Sequence, residues 1–182
     1  MEKLITNIFY SVVAAIAVGF AIYAPSFAQK AVAGATPQLY AKGEEVRGYV
    51  VGIMDGDTLK LLTDDQRELR VRLSQADAPE KGQDFAENAK RSLSDLAFQK
   101  PATIRVSEID STGRIIAEVY IGSMSLALTQ VGRGMAWVDR TGGADDRLVA
   151  IEQSVRQSRI GLWGKSKDPV APWDYRRQHG QT

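Results

Sequence analysis

The sequence predicts an α+β fold in which a small closed or nearly closed β-barrel carries helices packed on its side. Short runs of strand periodicity dominate residues 45–73 and 102–138, whereas stripes of helical spacing cover 83–99 and 145–158. The composition agrees. With 182 residues, 44% hydrophobic and 25% charged, the chain has globular proportions and enough length to bury a core without a metal or disulfide staple.

Residues 1–28 stand apart from this fold. Lys3 precedes an apolar stretch over 8–24 broken only by Ser11 and Gly19, and Ser26-Phe27-Ala28 offers a small-x-small cleavage site before Gln29. This predicts an export signal and a periplasmic or secreted product, the alternative being an uncleaved inner-membrane anchor. Residues 29–43 form a linker. Strands are then expected over 45–54 and 58–62, meeting at the Asp55-Gly56-Asp57 turn. Residues 69–73 alternate strictly, which puts three apolar side chains on one face and Arg70 and Arg72 on the other. Helical spacing over 83–99 aligns Phe85, Ala89, Leu93, Leu96 and Ala97, and Pro101 closes that helix. A hairpin pairs 102–106 with 115–121, a short helix covers 124–131, and 135–138 is a last strand. The helix over 145–158 turns Leu148, Ile151 and Val155 inward. The tail, 166–182, is expected to pack Trp173 on the barrel, the alternative being an aromatic and basic strand-binding element.

The same composition narrows the chemistry. There is no cysteine, which excludes disulfide scaffolds, thiolate zinc sites, iron–sulfur clusters and cysteine nucleophiles, and suits an oxidising compartment. The single histidine, His179, reads as an ordinary tail residue, so serine–histidine triads and histidine metal centres are excluded too. Carboxylates, arginines, lysines and hydroxyls remain. Twenty-three basic and 22 acidic residues leave a formal net charge of +1, so attraction to nucleic acid must come from local clusters.

Three short motifs carry those residue types: Asp55-Gly56-Asp57-Thr58, Arg72 with Asp77-Ala78-Pro79-Glu80, and Asp110-Ser111-Thr112-Gly113-Arg114. Each alone has a plain structural reading, as a hairpin turn, a helix-entry loop and a hairpin loop respectively. Together they suit phosphodiester hydrolysis without histidine. Asp57 and Asp77 offer hard oxygen ligands for a cation, and Glu80 can activate or orient a water. Arg72 and Arg114 supply forked donors for phosphoryl oxygens and for the charge of a five-coordinate transition state.

In this order and at these spacings, the motifs resemble the staphylococcal nuclease-like (thermonuclease) family. The resemblance runs over residues 46–163 and includes Leu126-Ala127-Leu128, Gly134-Met135-Ala136-Trp137-Val138 and Gly161-Leu162-Trp163. It implies a domain over 44–165 built as a five-stranded OB-fold barrel with about three α-helices. It further implies a monomeric, exported bacterial endonuclease, dependent on Ca2+, that cleaves DNA or RNA, including single strands, to 3′-phosphate ends. By position, Asp57 and Asp77 resemble the calcium carboxylates, the Ala78 main-chain carbonyl a third ligand, and Asp55 a carboxylate behind them. Glu80 resembles the general base, and Arg72 and Arg114 the phosphate arginines. Three places depart from the family pattern: Ala78 replaces threonine, Ser111 and Thr112 replace lysine and tyrosine, and the region Asp139-Arg140-Thr141 replaces tyrosines. Weaker metal and nucleotide contacts are expected from these changes. A binding module without turnover and a structural envelope domain are the alternative classes.

Overall fold

The alternating runs close into a barrel. The computed structural model describes residues 40–141, 143–165 and 168–180, so the segment read as an export signal lies outside the described residues. In chain order the elements are β1 (Glu45–Ile53), β2 (Thr58–Thr63), β3 (Glu68–Leu73), β4 (Ala76–Asp77), α1 (Ala86–Ala97), β5 (Pro101–Ile109) and β6 (Ile115–Ile121). They continue with β7 (Met124–Ser125), α2 (Leu126–Gly132), β8 (Trp137–Val138), α3 (Asp146–Gln157), α4 (Leu162–Lys165) and α5 (Pro172–Gln178).

Five long strands follow one another antiparallel in the order β3-β2-β1-β5-β6. A parallel pairing of β3 with β6, from Val71 opposite Ile115 to Leu73 opposite Ala117, then joins the two edges. Register shifts between Val50 and Gly52 in β1 and between Val106 and Glu108 in β5 add the local twist that so small a closed barrel needs. Inside lie Val50, Leu59, Leu61, Val71, Ile104, Val106 and Val119, capped by Leu93 of α1 and Leu126 of α2. Each such side chain contributes about 1.5–3 kcal/mol by leaving water.

Two boundaries differ from the periodicity. The helix expected to start at Gln83 starts at Ala86, because Phe85 takes a left-handed φ of 68° and turns out of the helix axis. Met124 and Ser125 pair with β6 instead of opening a helix, and the Ser125 hydroxyl then caps α2 by accepting from the Leu128 N–H at 3.4 Å. The described residues hold five helical segments where the resemblance implied about three; the additions are the single turn α4 and the tail helix α5.

Phe85 joins a second apolar cluster made by Trp137, Val155, Leu162, Trp163 and Ala171. Its two indoles meet edge to face with centroids 5.7 Å apart. This cluster seats the tail against the domain, yet not through Trp173, which is 39% exposed; Ala171 and Pro172 are the buried residues there. The indole carries a polar N–H and more surface than this shallow seat can cover, whereas the small Ala171 fits beneath it. Among the described residues no helix is long and apolar enough to cross a membrane.

Candidate active site

The first motif is held by what surrounds it. The Met54 and Asp55 N–H groups both donate to the Thr58 carbonyl, closing the β1–β2 turn. A side chain at Gly56 would meet the Cβ atoms of Ala89 and Ala78 at 2.6 and 2.7 Å, so only glycine lets the turn lie this close to α1. Gln130 of α2, fully buried, clamps it from behind by donating to the carbonyls of Gly56 at 2.7 Å and Ala89 at 3.1 Å. The Asp55 carboxylate accepts from the Asp57 N–H at 3.0 Å, an Asx turn that aims Asp57 back into the barrel end.

Asp57 is the most constrained carboxylate of the group. It accepts from the Thr58 hydroxyl at 2.7 Å and from the Ala78 N–H at 3.0 Å, so the first motif is stitched directly to the second. Burial, and after it the charge of Asp55, push its carboxyl up to about 6 against the opposing pull of Arg72, the Ala78 N–H and Thr58. Asp77 is positioned by the smallest sheet in the molecule, in which Ala76 and Asp77 pair with Val138 and Trp137 of β8. That sheet depends in turn on Glu152 of α3. Its fully buried carboxylate accepts the Val138 N–H at 2.9 Å and pairs with Arg140 and Arg156 at 3.2 Å each.

Arg72 extends from β3 into this group and touches three carboxylates. Its guanidinium lies 3.0 Å from Asp77 and 3.6 Å from both Asp57 and Asp139. Burial works against its charge, but the three neighbours outweigh that and hold its pKa above the ordinary arginine value. Arg114 is fixed from its own hairpin. The Asp110 carboxylate accepts the Arg114 backbone N–H at 3.0 Å and its Nε at 2.9 Å, together with the Thr112 N–H and hydroxyl. Glu80 stands at the entry loop of α1, where its N–H donates to the Gln83 amide oxygen at 2.7 Å.

All seven residues singled out from the sequence, Asp55, Asp57, Arg72, Asp77, Ala78, Glu80 and Arg114, line one polar cavity of about 320 Å3. Another charged residue does so from an unexpected place. Arg176 of α5 reaches both oxygens of Asp77, Nη2 to Oδ2 at 2.8 Å and Nη1 to Oδ1 at 3.2 Å, and Nη1 also binds Glu80 Oε1 in a short contact. The tail thus brings to the site a cation rather than an aromatic ring. Among the described residues, no three carboxylates gather tightly enough to enclose a metal ion; the acids here face arginines. The donor set is nonetheless all oxygen and anionic, which is the chemistry a hard cation requires. Arg176 stands against two of those carboxylates as a cationic stand-in.

The positions that depart from the family pattern also find partners. Asp139 faces Arg72, while Arg140 and Thr141 line an adjoining cavity of about 680 Å3 with Arg156 and Trp173. Sequence reasoning placed Arg176 only in the basic tail and passed over Glu152 and Gln130. Glu152 had a visible signal: it lies four residues after Leu148 and three before Val155, on the buried stripe of α3. Pro172 at the first helical position marked α5 in the same way.

Comparison with known proteins agrees with this fold. Residues 70–165 match the family described as Staphylococcal nuclease homologue, a span that begins within β3 and leaves the Asp55–Thr58 turn outside it. Protein ParB of Escherichia coli is 39% identical over 148 residues, covering 74% of this chain and 81% of its own length. A micrococcal nuclease of Shigella flexneri is 38% identical over 146 residues, with 73% and 82% covered. An uncharacterized endonuclease of Haemophilus influenzae is 37% identical over 129 residues, with 71% and 72% covered. The chain, a five-stranded closed barrel with helices on its side, therefore belongs to the staphylococcal nuclease homologues.

Proposed function

We propose that the protein is a calcium-dependent phosphodiesterase that cleaves single-stranded DNA or RNA to 3′-phosphate ends. The observation that carries this reading is the convergence on one cavity of four acids and two arginines from three separated motifs. A merely structural barrel has no use for so many buried and half-buried charges in one place, since each costs desolvation. Asp57, Asp77 and the Ala78 carbonyl, with Asp55 behind them, are the groups that would hold Ca2+, whose charge would polarise the phosphodiester toward attack. Glu80, half-exposed at the cavity edge, takes the proton of the attacking water. Arg72, held among three aspartates, and Arg114, fixed by Asp110, direct their remaining N–H groups at the phosphoryl oxygens as negative charge builds. The adjoining cavity with Arg140, Arg156 and Trp173 offers the next nucleotides cationic and aromatic contacts.

Single-stranded DNA incubated with the full chain in calcium and in chelator tests this. Calcium-dependent cleavage with 3′-phosphate ends is expected, and Glu80→Gln should lower turnover by about two to four orders of magnitude with KM nearly unchanged. Tight binding with no cleavage in calcium would leave a binding module instead. We also propose that the mature domain begins near Gln29 outside the cytoplasm; an intact mass that still includes residues 1–28 in the exported product overturns this.

A further inference from the structure

Arg176 lies outside the three motifs read from the sequence, in the tail, yet it makes the densest set of ion-pair contacts on Asp77 and Glu80. Both oxygens of Asp77 already have donors: Oδ1 receives Arg72 Nη2 at 3.0 Å and Arg176 Nη1 at 3.2 Å, and Oδ2 receives Arg176 Nη2 at 2.8 Å. A divalent cation needs oxygen lone pairs at about 2.3–2.6 Å and is repelled by a guanidinium beside it. Arg176 in this position and a cation on Asp77 therefore compete. Retreat of Arg176 is mechanically easy. Helix α5 is buried at Pro172 and its N-cap Ala171, that N-cap has no side-chain hydrogen bond, and the later residues are half-exposed or exposed. The long arginine side chain can swing away while that first turn stays seated.

We propose that Arg176 is a positioning residue and built-in competitor: it neutralises Asp77 and holds Glu80 when the cation is away, and the divalent cation binds by displacing it. This rests on the reading that Asp57 and Asp77 are cation ligands. It adds that cation affinity is set partly by the C-terminal helix, and that Glu80 becomes available as a base only once its arginine has left. The cavity thus stays charge-compensated in the absence of the cation.

Calorimetric titration of the full chain with CaCl2 alone, without nucleic acid, tests the proposal. Arg176→Gln should bind calcium about five-fold more tightly than the wild type, the size expected for loss of one partly exposed ion pair. Arg176→Lys, which keeps the charge but loses the fork, should fall between the two. Arg177→Gln is the control: that arginine is bound to Asp174 and largely exposed, so its removal should change the dissociation constant by less than about two-fold. Unchanged or weaker calcium binding in Arg176→Gln, or equal tightening in Arg177→Gln, overturns the competition while leaving the nuclease reading intact. If Arg176→Gln does not fold, Arg176→Lys decides by the same measure. Absence of calcium binding in every protein, wild type included, would instead remove the cation site and with it both readings.

Discussion

Arg72 and Arg176 grip the same carboxylate, but one is part of the barrel and the other arrives from a helix 99 residues after Asp77. Arg72 is paired within β3 against β2 and β6, its side chain is 15% exposed, and three aspartates surround it. Arg176 projects from a seven-residue helix, is 32% exposed and, among the described residues, pairs with Asp77 and Glu80. Both pairs have good geometry, so hydrogen-bond length does not separate them. What separates them is what else must move: losing Arg72 strands buried charge in the barrel wall, whereas losing Arg176 opens a site that water or a cation can fill.

The comparison breaks most visibly at Arg72. Arg72→Ala should cost about 3–5 kcal/mol in urea or guanidinium unfolding, because Asp57 and Asp77 lose their buried counter-ion, and should abolish cleavage. A cost below about 1 kcal/mol would mean that the barrel does not depend on this charge.

Titration sharpens the contrast, since Asp57 in the cavity and Asp110 behind Arg114 shift in opposite directions. Asp57 titrates at about 6 in the fold against 3.8 for an ordinary aspartate, so the stability from its protonated form is fully present below about 4 and lost as pH rises through 6. At Asp110 partial burial raises the carboxyl, but hydrogen bonds from Thr112 and Arg114 win and hold it at about 2. Its contribution is present above about 4 and lost as pH falls toward 2. Unfolding measured in calcium-free buffer should show greater stability at pH 4 than the other groups alone would give, and Asp57→Asn should remove that component.

A smaller effect is expected at Glu152, which supports Asp77 indirectly through β8. Glu152→Ala leaves the buried Val138 N–H without its acceptor and frees Arg140 and Arg156, at a cost of about 1–3 kcal/mol. Calcium affinity measured on the same variant should weaken as the two-residue β4–β8 pairing loosens. The smallest effect belongs to Arg176→Ala, for which thermal or denaturant unfolding should change by about 1 kcal/mol or less. A loss as large as that of Arg72→Ala would make Arg176 a structural residue and not a displaceable one.

The site was legible wherever its logic is local. Asp55-Gly56-Asp57-Thr58 is a turn whose acids are aimed by its own hydrogen bonds, and Asp110 to Arg114 is a hairpin that fixes its own arginine. The strict alternation at 69–73 correctly placed Arg72 away from the core-facing Val71 and Leu73. Long-range partners left weaker traces. Gln130 serves Gly56 from 74 residues away, and Arg176 serves Glu80 from 96. Trp173 drew attention as the conspicuous residue of the tail, but Arg176, one helical turn later, is the one that reaches the carboxylates.

By itself the sequence determined which side chains were left for any chemistry and the kind of fold. Without cysteine and with one tail histidine, carboxylates, arginines, lysines and hydroxyls were the groups left for chemistry, and period-two runs separated by acidic turns pointed to a small β structure. Tertiary structure alone decided which charges meet. Turn chemistry and alternation act over a few residues, whereas the ion pairs of Asp77 depend on the β3–β6 closure, on a two-residue sheet with β8, and on where the second apolar cluster seats α5. Those are sums of many weak packing terms over the whole chain, and no short window of residues contains them.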